Sequence, residues 1–182
     1  MSKATDVDRP FSVLSSKGLG SCATALDITE FQGEYRWLSN FWPVQVHLDG
    51  VFYPSVEHAY QAAKAHPSQR AAFRACTAGQ AKRLGRTVQM RPDWEQVKVP
   101  TMRGLIEEKF SPGSEPGARL ISTGQRMLIE GNMWGDVFWG VCRGRGRNML
   151  GHLLMERRTF LQGAPNVWAR RADTAPLNLD AE

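Results

Sequence analysis

Residues 54–64 read PSVEHAYQAAK, and the organisation of the chain is best worked out from this stretch. It predicts the opening turns of a helix. Pro54 keeps the backbone extended, and Ser55 supplies an N-cap oxygen. Val56, Tyr60 and Ala63 recur at i, i+4 and i+7 and so share one side. Glu57, Gln61 and Lys64 recur at the same spacing along a neighbouring stripe. A carboxylate, an amide and an amine in line, on a helix otherwise small and apolar, admit two readings. One is a solvated face with a weak ion pair, worth roughly a few tenths of a kcal/mol. The other is a stripe built to do chemistry, and two further polar-aromatic stretches elsewhere in the chain favour it.

The segment just upstream, VQVHLDGVFY, predicts the β-hairpin that delivers the chain into this helix. Val44, Val46 and Leu48 alternate with polar residues, and Asp49-Gly50 is a favoured two-residue turn. Before it, FQGEYRWLSNFWPVQV gathers Phe31, Tyr35, Trp37, Phe41 and Trp42 around a polar Ser39-Asn40 pair. Downstream, Ser68–Cys76 predicts a short helix. Thr77 with Gln80 fits a capping box and Gly85 a helix stop, so TAGQAKRLG is another. Asp93 is read as capping a turn at Trp94, and Pro100 as occupying the first turn of the helix TMRGLIEEKF, with Met102, Leu105, Ile106 and Lys109 marking its inner and bordering face. SPGSEPG is read as a loop, ARLISTG as a short helix or its end, and RMLIE as a strand. The next stretch, GNMWGDVFWGVCRGRGRNMLG, is too rich in glycine for a helix and too aromatic for a linker. From Asn148 the spacing turns helical again, with Leu150, Leu153, Leu154, Arg157 and Leu161 near one face.

At 182 residues the chain is long enough to bury a core without disulfides or metal. The expected partition is a flexible leader at 1–27, one domain at 28–163 and a flexible tail at 164–182. A net charge of +5 favours an anionic partner such as a nucleotide, a sugar phosphate or nucleic acid, without choosing among them. Cys22, Cys76 and Cys142 are isolated, and the histidines form no metal-spaced set, which implies a reducing compartment and no structural zinc. No apolar run approaches a membrane span, and the first residues lack a signal-peptide core, so a cytoplasmic protein with no membrane contact is expected.

Glu57 and Asp136 are the carboxylates of interest. A carboxylate enclosed by apolar groups serves as acid or base, or when ionised stabilises positive charge. Asp136 lies between Trp134 and Trp139, which reads either as a pocket wall or as a turn cap among core tryptophans. Carboxylates on separate elements are the usual means of cleaving a glycosidic bond. Lys64 and Lys82 suit phosphate oxygens as point charges, and a desolvated Lys64 suits attack on an opened sugar as a Schiff-base nucleophile. Trp37, Trp94 or Trp139 would stack on a heterocyclic base, or simply pack in the core. Arg143, Arg145 and Arg147 form a second candidate anion site, or an exposed basic loop.

In order along the chain, YRWLSNFWP, PSVEHAYQAAK, AKRLGR, DWEQVK, LIEEKF and NMLGHLLMERR resemble the YbiA-like or NADAR (NAD- and ADP-ribose-associated) family, over about residues 28–161. The resemblance implies an N-glycosidase. Members are associated with cleaving the base–ribose bond of early riboflavin-pathway intermediates, of the 5-amino-6-(5-phosphoribosylamino)uracil type; others remove ADP-ribose from modified guanine. It implies that Glu57, Gln61 and Lys64 act from one helix and that Ser39, Asn40 and Phe41 come from the LSNF loop. Lys82, Trp94, Asp136, Trp139 and Asn148 complete the expected site. Three arginines in the glycine-rich loop depart from the family pattern.

The expectation is therefore an α+β, mainly helical single domain with a small antiparallel sheet. It would hydrolyse an N-glycosidic bond without a cofactor or metal. Glu57, Asp136 and Lys64 are the candidate catalytic groups. Ser39, Asn40, Phe41, Gln61, Lys82, Trp94, Trp139 and Asn148 are the candidate binders of a phosphoribosyl or ADP-ribosyl substrate. Nucleic-acid contact through the three arginines would go with the rival readings, ADP-ribosyl-guanine hydrolysis or a binding module without turnover.

Overall fold

The computed structural model describes residues 27–163. The expected tail, and the expected leader up to residue 26, lie outside the described residues.

The chain opens with a 3-10 helix, Gly33–Leu38, and then forms the hairpin β1 (Val46–Leu48) and β2 (Val51–Tyr53). Asp49 and Gly50 both have positive φ, 50° and 75°, the signature of a turn that matches strand twist. Val46 pairs with Tyr53, and both are buried. Helix α1 (Val56–Lys64) follows directly. Ser55 caps it as expected, accepting from the His58 N–H. The Glu57 N–H, left over at the helix start, donates to the Asn40 carbonyl at 2.9 Å, which ties the Ser39-Asn40 loop to α1.

A second 3-10 helix, Pro67–Phe73, stands where a short helix was expected. Helix α2 (Ala78–Leu84) carries the full Thr77/Gln80 capping box. Helix α3 (Trp94–Lys109) is longer than predicted. Pro100 lies inside it, not at its first turn. The earlier start is anchored by Trp94, 4% exposed, packed against Tyr60 of α1. That burial offsets the hydrogen bond Pro100 cannot donate to Gln96. Asp93 makes no side-chain cap bond, because its carboxylate pairs with Arg91 at 2.5 Å.

Helix α4 (Glu115–Ser122) starts within the segment read as a loop: Ser114 accepts from Gly117 N at 3.0 Å, and Pro116 suits the first turn. RMLIE does not form a strand. Ile28 and Leu128 make a single bridge, and the neighbouring ladder donors go to side chains instead: Met127 N to Asp27 Oδ1 and Glu130 N to Asn148 Oδ1. A two-residue parallel pair follows, β3 (Gly131–Asn132) with β4 (Val141–Cys142), beside the expected antiparallel hairpin. Helix α5 (Met149–Gly163) closes the domain against α3 and α4, burying Leu150, Leu153, Leu154 and Leu161.

The core centres on α1, which packs against α2, α3 and the hairpin. Every residue from Val56 to Ala63 is buried, so the helix has no solvated face and the weak surface ion pair is excluded. Among the described residues no helix is long and apolar enough to cross a membrane.

Candidate active site

Helix α1 presents Glu57, Tyr60, Gln61 and Lys64, at i, i+3, i+4 and i+7, to a cleft of ≈ 570 Å³. The loop after the first 3-10 helix adds Ser39, Asn40 and Phe41, α2 adds Lys82, and α3 adds Trp94, Glu95, Lys98 and Met102. The remaining walls come from Phe31, Gln32, Arg36, Leu150 and the glycine-rich segment, through Glu130, Gly131, Trp134, Asp136, Phe138 and Trp139. Six stretches of sequence, 31–41, 57–64, Lys82, 94–102, 130–139 and Leu150, thus converge on one cavity.

Glu57 lies deep in it, 6% exposed. Gln61 Nε2 donates to its Oε1 at 2.9 Å. Burial raises the Glu57 pKa, and the Gln61 hydrogen bond with the charges of Lys82 and Lys64 works against that rise. Gln61 is itself wedged. A β-carbon on Gly85 would sit 2.8 Å from Gln61 Cδ. Gly85 has φ −62°, an ordinary helical value, so this glycine is explained by the room Gln61 needs and not by a left-handed helix stop.

Lys64 Nζ lies 5.4 Å from the Tyr60 ring centre and 5.7 Å from that of Trp94. Burial lowers its pKa, opposed by Glu57. Lys82 Nζ lies 5.5 Å from the Phe41 ring and 5.3 Å from that of Trp134. Among the described residues neither lysine forms an ion pair, nor does Arg36. Lys98, by contrast, is paired with Glu95 at 2.5 Å. Unpaired cations beside a buried carboxylate make a cavity suited to a ligand that is anionic at one end and becomes cationic at another.

Asp136 answers to both of its sequence readings. Its Oδ1 accepts from Phe138 N at 3.1 Å and Trp139 N at 2.8 Å, so it caps a turn, and it lines the cleft. Asn132 braces the same turn by accepting from Asp136 N and donating to Asp136 O. Trp94 and Trp139 line the cleft and pack on Tyr60, with ring centres 5.0 and 5.5 Å away. Trp37 lies elsewhere, edge-on to Phe110.

Asn148 does not line the cleft. It is buried, accepting from Glu130 N at 3.0 Å and donating to Leu128 O at 2.8 Å, so it braces the segment that carries Glu130. Arg143, Arg145 and Arg147 are exposed and stand outside the cleft. Arg143 lines an adjoining groove of ≈ 480 Å³ that shares Gln32, Gly131 and Trp134 with it. Among the described residues no group of His, Cys, Asp and Glu is arranged to hold a metal.

Sequence reasoning missed Glu130 and Arg36, and it gave Lys109 a place on its helix but no role at the site. Glu130 ends an apolar run, which is the one local sign that it is enclosed. Lys109 is 2% exposed and donates to Ser39 O at 2.8 Å and Leu38 O at 3.4 Å, clamping the loop that carries Ser39 and Asn40. Its burial brings the amine pKa down to about 7, with Glu130 opposing.

Residues 29–162 match the NADAR domain family. The chain belongs to this family. It is 35% identical over 145 residues to N-glycosidase YbiA of Escherichia coli, spanning 76% of this chain and 89% of that protein. It is 38% identical over 132 residues to an N-glycosidase of Nostoc punctiforme, spanning 68% of this chain and 84% of the other. A riboflavin biosynthesis protein of Vibrio vulnificus is 39% identical over 149 residues, but the match spans only 40% of that longer protein. The solution structure of E. coli YbiA has the same fold, with a TM-score of 0.66 at 29% identity over 85% of this chain and 94% of that one. With N-glycosidases matched over most of their length, the chain is a hydrolase acting on N-glycosyl bonds.

Proposed function

We propose that the cleft hydrolyses the bond between ribose C1′ and the nitrogen of a phosphoribosylamino-pyrimidine. The observation that carries this is the buried Glu57, held by Gln61 and flanked by the unpaired Lys64 and Lys82 in an aromatic cleft. In this reading the base lies against Trp139 and Phe41, and Lys82 and Arg36 take the phosphate. Ser39 and Asn40 meet the sugar hydroxyls. As the C1′–N bond lengthens, positive charge grows on the sugar, and the Glu57 carboxylate stabilises it. Asp136, whose Oδ1 is fixed by two amides, orients the attacking water. The relatives' names, N-glycosidase and riboflavin biosynthesis protein, point the same way.

The test is an assay of sugar and base release from the phosphoribosylamino-pyrimidine, run beside ADP-ribosylated nucleic acid. Turnover of the first alone supports the proposal. Turnover of the second alone replaces it with removal of ADP-ribose from guanine, a rival that the Arg143 groove adjoining the cleft favours by offering room and charge for a second phosphate. Salt-sensitive binding of nucleic acid without product from either would make this a binding module.

Lys64 supports a second reading of the mechanism, because its amine is desolvated between Tyr60 and Trp94. The neutral amine attacks C1′ as the C1′–N bond breaks, one of its protons passes to the departing nitrogen, and the ribosyl-lysine opens its ring to a Schiff base that water then hydrolyses to free sugar and amine. Borohydride added during turnover would then leave a ribosyl adduct on Lys64, and the absence of any adduct returns Lys64 to anion binding.

A further inference from the structure

The backbone of Glu130 is fixed on both sides. Its N–H donates to Asn148 Oδ1 at 3.0 Å, and its carbonyl accepts from Val141 N at 2.9 Å. The bare Gly140 lets the next segment close on this backbone: a β-carbon at 140 would overlap the Glu130 carbonyl oxygen and stand 2.8 Å from Asn132 Nδ2 and 3.1 Å from Glu130 Cγ. Glu130 lines the cleft, and its Oε2 is buried with no hydrogen-bond partner among the described residues. The charged groups that face it are Asp136 and Glu57, of like sign, and Lys82 and Lys109, of opposite sign. An ionised oxygen buried without a donor is costly, and a proton on the group removes most of that cost. Carboxylates that share one cavity also divide their protons unequally.

We propose that Glu130 is the general acid of this cleft and protonates the departing nitrogen. The inference rests on the N-glycosidase reading above and adds the group that reading lacks. As the C1′–N bond breaks, its electron pair moves onto nitrogen, and the Glu130 proton converts that nitrogen to N–H. The sugar is left as an oxocarbenium ion facing Glu57. Water adds its oxygen to C1′ and returns one proton to the Glu130 carboxylate, so the free amine and the C1′-hydroxyl sugar leave and the acid is restored. Burial, with Asp136 and Glu57 nearby, raises the Glu130 pKa to about 7 despite Lys82 and Lys109, which suits an acid that must be recharged each cycle. The substrate class follows: ribosides whose leaving nitrogen is too basic to depart without a proton.

The experiment compares the full-length wild type with Glu130→Gln and Glu130→Asp on two substrates. One is the phosphoribosylamino-pyrimidine; the other is p-nitrophenyl riboside 5-phosphate, whose phenolate departs without a proton. With the first, Glu130→Gln is expected to lower kcat by about 10²–10⁴-fold with KM little changed. With the second the loss in kcat is expected to be at least about tenfold smaller, because only the proton to the leaving group is dispensable there. The alkaline fall of the wild-type kcat/KM profile should vanish in Glu130→Gln and persist in Glu130→Asp. Equal slowing of both substrates, or an unaltered pH profile, overturns the proposal while leaving the N-glycosidase reading intact. A wild type that cleaves neither substrate overturns both. If Glu130→Gln does not fold, the carboxyl ¹³C titration of Glu130 in the wild type decides: a midpoint near 7 supports the assignment, and one in the ordinary carboxylate range overturns it.

Discussion

Gln61 reaches back one helical turn to Glu57, its amide donating to the carboxylate Oε1 at 2.9 Å, while its own side chain is packed against Gly85. A buried carboxyl is thus oriented by a neighbour whose position is set by the absence of a side chain at the end of another helix.

Glu57→Gln should keep the fold, since an amide oxygen at 57 still accepts from Gln61. Turnover should fall on the order of 10²–10³-fold, the scale of one preorganised electrostatic contact. Thermal melting with single-turnover kinetics checks both halves, and near-wild-type hydrolysis would remove Glu57 from the mechanism.

Gly85→Ala tests the wedge. Its new methyl overlaps the Gln61 side chain, and the overpacking should cost about 1–3 kcal/mol. Catalysis should drop along with stability, because displaced Gln61 no longer holds Glu57. Adding Gln61→Ala should recover stability but not rate, and the double-mutant cycle on both quantities measures this.

Lys109 makes stability depend on pH in a direction that can be stated. Its native pKa is lowered to about 7 from an unfolded value of 10.5. Its contribution is therefore present above 10.5 and lost as pH falls through about 7. Between those limits the wild type should gain stability with rising pH relative to Lys109→Met, by up to about 1.4 kcal/mol per pH unit. Melts of both proteins from pH 7 to 10 give the slope. The same substitution frees the carbonyls of Leu38 and Ser39, so KM should rise more than kcat falls.

Replacing Arg143, Arg145 and Arg147 together with Ser should leave kcat/KM for a small phosphoribosyl substrate unchanged, because these side chains are exposed and outside the cleft. Steady-state kinetics settles it, and a large loss would show that the adjoining groove belongs to the small-substrate site.

What was legible in the sequence was local chemistry. The Ser55 cap, the Asp49-Gly50 turn and the Thr77/Gln80 box depend on residues within a few positions of one another, and each formed as read. The stretches misread were decided from afar. Pro100 marks a helix start only if nothing upstream is worth burying, and Trp94 against Tyr60 is. RMLIE has strand composition, but Asp27 and Asn148 take the hydrogen bonds a strand would need. The cleft follows the same division. Glu57, Gln61 and Lys64 share a helical spacing visible in the sequence. Glu130 gains its character from Asn148, eighteen positions on, and from the bare Gly140 beside it.

Because α1 is enclosed along nearly its whole length, it can yield only when the protein itself comes apart. The cleft therefore has one wall fixed by the core and an outer one, where Trp134 stands 57% exposed on a glycine-rich segment. Evolution or engineering toward a new ligand must work on that second wall, since any adjustment to the first is an adjustment to the foundation.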